Sequence, residues 1–225
     1  MKRFLATLTA VASLAATLPL GRAVAQIPMI PSVPVSPAVA ELFKFIELQR
    51  AGEMRGVLLM GRGVKADSTD AKGDPALMVT ARDGYLDGAK VLLDAGAKIN
   101  LRNKFGDSAI MVAALAGHEP MVKMLRSKGA DINNSGWTAL HYASIGGHDA
   151  IVKYLLEQGA DPLATSINGI TALMMAAREN KTGALGMLLE YGADPKQKND
   201  KGETAYDWAV REEHRGIVET LRKFK

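Results

Sequence analysis

Glycine recurs through this chain in two interleaved series whose spacing leaves few folds open. One series falls at Gly73, Gly106, Gly136, Gly169 and Gly202, the other at Gly63, Gly96, Gly129, Gly159 and Gly192. Successive members lie 33 residues apart in both, apart from one interval of 30 in each. A self-similar unit of this length is one supersecondary module. It cannot bury its apolar faces alone and must stack on copies of itself. The two series also locate the irregularity. Ten residues separate 63 from 73, 96 from 106, 159 from 169 and 192 from 202, but only seven separate Gly129 from Gly136. Three residues are therefore missing from that connection, and the helices on either side are expected to stay in register.

The unit from Gly136 to Ile170 shows what each module is built from. Thr138 can cap a helix, its hydroxyl accepting from a first-turn N–H that otherwise has no partner. Leu140 and Ala143 then share one helical face. His141 can hydrogen-bond to a neighbouring turn. Gly147 permits the positive φ that ends the helix. A second helix carries Ile151, Val152, Leu155 and Leu156 and ends at Gly159, and the polar segment from Ala160 to Ile170 suits an extended hairpin. The helix-start box varies around one theme: Pro75-Ala76-Leu77-Met78, Ser108-Ala109-Ile110-Met111, Thr138-Ala139-Leu140-His141, Thr171-Ala172-Leu173-Met174 and Thr204-Ala205-Tyr206-Asp207. A hydroxyl leads four of the five. In the fifth, Asp74 is expected to cap, with Pro75 as first helical residue.

Boxes in phase at this period resemble the ankyrin repeat, whose signature is Thr-Pro-Leu-His. The family's Pro is Ala throughout, and its His survives once, at His141. The resemblance covers residues 38–225 and implies an all-α fold: an α-solenoid of helix–turn–helix repeats joined by hairpin fingers. The N-terminal capping pair is expected at 38–63 and the C-terminal cap from Gly202. Ser36-Pro37 reads as the first helix start.

Residues 1–25 read as a secretory signal peptide: Lys2-Arg3, an uncharged run from Phe4 to Leu18, and Ala23-Val24-Ala25 before Gln26. The run is short for a membrane span, so no stable membrane insertion is expected after cleavage. The whole chain holds 28 basic and 24 acidic residues. Because the leader carries Lys2, Arg3 and Arg22 and no acid, the remainder is nearly neutral and has no footprint for nucleic acid. Cysteine is absent, which excludes both disulfides and a lipid-anchored cysteine at the cleavage site. An exported bacterial protein of the periplasm is expected. Residues 26–37, with Pro28, Pro31, Pro34 and Pro37 at every third position, read as an extended linker.

No catalytic constellation emerges. His118, His148 and His214 occupy one place in three of the units, at least about one repeat apart, too far for one metal ion. There is no Gly-x-Ser-x-Gly elbow and no phosphate loop. The methionines Met78, Met111, Met121, Met124, Met174, Met175 and Met187 fall at helical apolar positions and read as core rather than as a copper site. The protein is therefore expected to be non-enzymatic, without metal or cofactor, and monomeric.

The resemblance implies that partners are met by fingertips and the exposed side of the first helices. Carried over position by position, this places Phe105, Leu115, Trp137, Ile145 and Ile170 at the centre of the array on one continuous concave surface, with charged pairs such as Arg178-Glu179 toward the ends. An apolar centre with a polar rim is a common interface plan. Trp137 is the expected anchor, beside the shortened hairpin; the competing outcome is that it fills the space left by the missing residues. The function expected is a preformed surface for a protein partner. An alternative is an inhibitor or protective partner of a periplasmic enzyme, including one of oxidative-stress defence.

Overall fold

The computed structural model describes residues 35–61 and 63–224; the expected signal peptide and nearly all of the Pro-rich linker lie outside them. Among the described residues there are twelve helices and no strand. They come in pairs: α1 (Pro37–Glu47) with α2 (Ala51–Leu59), α3 (Ala76–Arg82) with α4 (Leu86–Asp94), α5 (Ala109–Ala116) with α6 (Glu119–Ser127), α7 (Ala139–Gly146) with α8 (Asp149–Glu157), α9 (Ala172–Arg178) with α10 (Thr182–Glu190), and α11 (Ala205–Arg211) with α12 (Arg215–Arg222). Each first helix packs on the first helix of the next pair, so these helices form one layer. The second helices lie behind it.

The sequence explains the pairs. Ser36 caps α1, its Oγ accepting from the Val39 N–H at 3.3 Å with Pro37 in the first turn. Thr138, Thr171 and Thr204 cap α7, α9 and α11. The other two boxes differ from expectation. Ser108 donates its N–H to the Met111 sulfur at 3.4 Å, but its buried hydroxyl has no partner. Asp74 does not cap α3: Pro75 holds the cap position, and the Asp74 carboxylate instead accepts from Arg82 at 2.9 Å and from Asn103 of the next unit at 2.9 Å. A charged partner at the end of the same helix, together with an amide across the unit boundary, outcompetes the cap. The short first helices of the four inner pairs, α3, α5, α7 and α9, are largely buried, and their Leu77, Ile110, Leu140 and Leu173 are each 3% exposed or less. So are Met78, Met111, Met121, Met174 and Met175, which fill core space between units.

Polar bonds cross each boundary at recurrent places. The rings of His118, His148 and His214 bond the main-chain oxygens of Arg82, Leu115 and Ala177 at 3.0, 2.9 and 3.0 Å. The His148 ring comes so close that a Cβ on Gly117 would lie 2.5 Å from it, and Gly117 has φ 80°; both the contact and the backbone call for glycine there. Along the bases of the fingers, Asp67, Asn100 and Asn133 accept from the N–H groups of Lys98, Asp131 and Asp161 at 2.8, 2.9 and 2.9 Å.

Four fingers close in one way. The residue three before the opening glycine accepts two backbone N–H groups through its side chain: Asp70 from Lys72 and Asp74, Asn103 from Phe105 and Asp107, Ser166 from Asn168 and Ile170, Asn199 from Lys201 and Glu203. In the fifth, that residue is Asn133. With three residues missing, Asn133 is at once the tip residue and the base residue. Its amide serves the base, accepting from Asp161 N–H and donating to the Gly159 carbonyl at 2.7 Å. The tip turn is not made, while α5 and α7 on either side pack together directly.

His141 ties α7 to the next finger. Thr138 N–H and Oγ1 lie 3.3 and 2.9 Å from Nδ1, and Nε2 bonds the Ile170 carbonyl at 3.0 Å. These partners assign the hydrogen to Nε2. The ring is fully buried, and burial lowers its pKa from the usual 6.5 to about 4, against the raising effect of the Ile170 bond. The folded form therefore refuses a proton that the unfolded chain accepts, so this group's stabilisation is present above pH 6.5 and is lost as pH falls toward 4. Asp107, whose carboxyl is raised by burial, acts in the opposite sense. Comparison with His141→Met isolates the histidine, since Met78, Met111 and Met174 fill the same place elsewhere. In urea titrations between pH 7 and pH 4, the wild type is expected to lose about 3 kcal/mol more than the variant; equal losses would refute the assignment.

Candidate functional site

The unmade turn of the short finger leaves a notch in the row of tips. On one side stands the finger of Phe105, and on the other that of Ile167, with 56% and 83% of their surfaces exposed. Leu163, at the base of the second finger, is 47% exposed. Ile167 leans toward the notch: its Cγ2 is 3.9 Å from where a Cβ on Gly136 would stand. The following finger, by contrast, presses onto its neighbour. Asp200 N–H donates to the Asn168 carbonyl at 3.1 Å, and a Cβ on Gly169 would meet Asn199 Cα at 3.0 Å.

Trp137 follows Gly136 and is half-buried. Its ring meets His141 at 5.3 Å and Tyr142 at 5.9 Å between centroids, edge-on in both cases. Both supports are fixed. His141 is held as described, and the Tyr142 hydroxyl donates to Asp107 in the preceding finger. Burial raises the Tyr142 phenol, as do the nearby Asp107 charge and their hydrogen bond. Trp137 is thus neither the free anchor nor the wholly buried plug of the two expectations. One part of it fills the space beside the short finger, and the rest remains open on a rigid seat.

Of the six residues expected to form the site, Phe105 and Trp137 border the notch. Leu115 is half-exposed, at the end of α5, and its carbonyl receives His148. Ile145 and Ile170 do not belong to an open surface. They are buried, at 8% and 7% exposure, so the continuous apolar centre that included them is corrected. Ile170 precedes the Thr171 cap, where the finger turns into α9, and Ile145 sits in the last turn of α7. Arg178 is engaged locally, with Nε 2.8 Å from Glu179 and its guanidinium 5.7 Å from the Trp208 ring centre. Ile167 is the residue that the positional carry-over passed by, because it sits two before the opening glycine. The signal was present: the same place holds Ala71, Lys104, Asn134 and Asp200 in the other fingers.

The end units use the same surface differently. Glu203 occupies the place of Trp137 in the last unit. Burial raises its carboxyl, but hydrogen bonds from Asn199, Trp208 and Arg211 outweigh this, and its pKa is lowered. Asp74, Asp107 and Glu203 are all satisfied from within the protein. Among the described residues no group of three or more His, Asp or Glu side chains could hold a metal ion.

The family model for ankyrin repeats (3 copies) matches residues 77–166 and 162–224. The first helix pair lies outside this match. Comparison with curated proteins gives no match.

The two exposed positions differ in kind. Trp137→Ala removes two ring contacts and partly uncovers His141, and is expected to cost about 1–3 kcal/mol. Ile167→Asp changes a tip residue that covers little, and is expected to stay within about 0.5 kcal/mol of the wild type. Urea denaturation of both variants checks this; an Ile167→Asp loss as large as that of Trp137→Ala would mean that the tip is structural.

Proposed function

Because the chain belongs to the ankyrin-repeat family, whose repeats form protein–protein interaction modules, we propose that it is a non-enzymatic binding protein of the periplasm that engages a protein partner through the notch at the short finger. The observation that carries this reading is the pair of exposed apolar tips, Phe105 and Ile167, on either side of the missing turn. Both are more exposed than core packing requires, and Trp137 lies between the two fingers in sequence, held edge-on by two neighbouring rings. A seat that is already ordered loses little side-chain entropy on binding. Export is supported by the basic, uncharged and small-residue segments of residues 1–25, and the neutral charge balance that remains favours no polyanion.

The test places a photo-crosslinking amino acid at position 167 in the full chain in its native cell envelope, with position 153 on α8 as control. Lys153 is exposed and points away from the core stripe of its helix. The expected outcome is an adduct to another protein from 167 and none from 153, on a chain whose first residue by mass spectrometry is Gln26. Equal labelling from both positions, or none, would overturn the binding reading. A chain that keeps Met1 in the cytoplasm would overturn export. Adducts between two copies would replace the separate partner with self-association.

A further inference from the structure

The charges around the notch are one-sided, and they specify what fits it. We propose that the occupant is an acidic protein segment that inserts a large apolar side chain between the tips of Phe105 and Ile167 and sets carboxylates against the flanking fingers; this rests on the protein-binding reading above. The tip preceding the notch, residues 102–106, carries Arg102 and Lys104, both exposed. Lys104 lies 5.2 Å from the Phe105 ring centre, so a cation and an apolar face are presented together. Arg102 donates to the Gly106 carbonyl at 3.1 Å and to the Asn134 amide oxygen of the short finger; among the described residues no ion pair joins it to a carboxylate, although its charge acts on Asp107. The short finger's tip, Asn134 to Gly136, and the Ile167 tip, Ser166 to Gly169, hold no charge. Beyond them, residues 198–202 carry Lys198 and Lys201, both exposed, with no ion pair to a carboxylate among the described residues, and the exposed Asp200 between them.

The acids nearby offset these cations only in part. Asp107 is buried and accepts from Tyr142. Glu203 is bonded by Asn199, Trp208 and Arg211. Asp200 is the one carboxylate in residues 102–106 and 198–202 taken together. Asp200 lies against the Ile167 tip, its Oδ1 3.0 Å from where a Cβ on Gly169 would stand, so along the row of tips the surface reads as cation, apolar, neutral recess, apolar, and a last tip whose two lysines outnumber one carboxylate. An apolar segment without charge would leave the lysines solvated and gain only from the centre. A basic one would be repelled from both flanks. An apolar anchor bracketed by Asp or Glu matches every part, with the centre supplying the desolvated contact and the rim supplying orientation and salt dependence.

The probe is a displayed library of random peptides, selected against residues 26–225 and counter-selected against the Ile167→Asp variant. Enriched peptides are expected to combine a large apolar residue with an excess of Asp and Glu. Lys104→Glu and Lys198→Glu, both at exposed positions, are each expected to weaken the selected peptides about tenfold or more at low salt, with the deficit shrinking as salt screens the charges. Enrichment of neutral or basic peptides, binding indifferent to both charge reversals, or no enrichment at all overturns the inference. The envelope crosslink separates this failure from that of the underlying reading. An adduct from position 167 to a segment without acidic excess sinks the acidic occupant alone, whereas the absence of any adduct sinks both.

Discussion

Every unit in this protein leans on the next through a side chain that bonds a neighbour's main chain. Histidine rings reach back to the main-chain oxygens of Arg82, Leu115 and Ala177, and Asp67, Asn100 and Asn133 reach forward to amides one unit on. Apolar packing between short, Ala-rich first helices supplies the attraction, but such surfaces are smooth and would tolerate sliding. The directional bonds set the register. They pair polar groups at each boundary, the histidine bonds in partly buried places, and a slipped stack would leave those groups unpaired.

The short finger follows from the same constraint. A full connection has separate residues for the base bond to the next unit and for the turn at the tip. Removing three residues leaves Asn133 to fill both places, and it keeps the base bond. The register between units survives and the tip is sacrificed. What would have been covered by that tip is left partly open, and Trp137 occupies the ground beneath it. The recess is thus a by-product of preserving the stack, and its stiffness comes from His141 and Tyr142, which serve the boundaries on either side.

Much of this was legible in the residues. The two glycine series locate the missing turn to within seven positions, and threonine boxes place three helix starts. The histidines in phase announce a structural role. What failed did so where one unit answers to another. Asp74 reads locally as a cap, yet Asn103 of the next unit claims it, together with Arg82 at the end of its own helix. Ile145 and Ile170 read as surface by position, yet both are buried in the stack. Periodicity tells where a side chain sits in its own unit and says little about how far the next unit reaches over it. Ile167 is the reverse case, an apolar residue at a place whose other occupants are mostly polar, and its exposure needed no knowledge of neighbours to suspect.

The account turns on a stack that runs unbroken through the short finger. Hydrogen exchange followed by mass spectrometry at increasing urea measures this directly, because each helix reports the free energy of the opening that exposes it. If Asn133 preserves the register, the amides of α3 to α6 and those of α7 to α10 will merge into one opening with a common free energy and urea dependence. If the two sets instead exchange through separate openings divided at residues 129–136, the stack is broken there, and the notch is a hinge between two bodies rather than a recess in one.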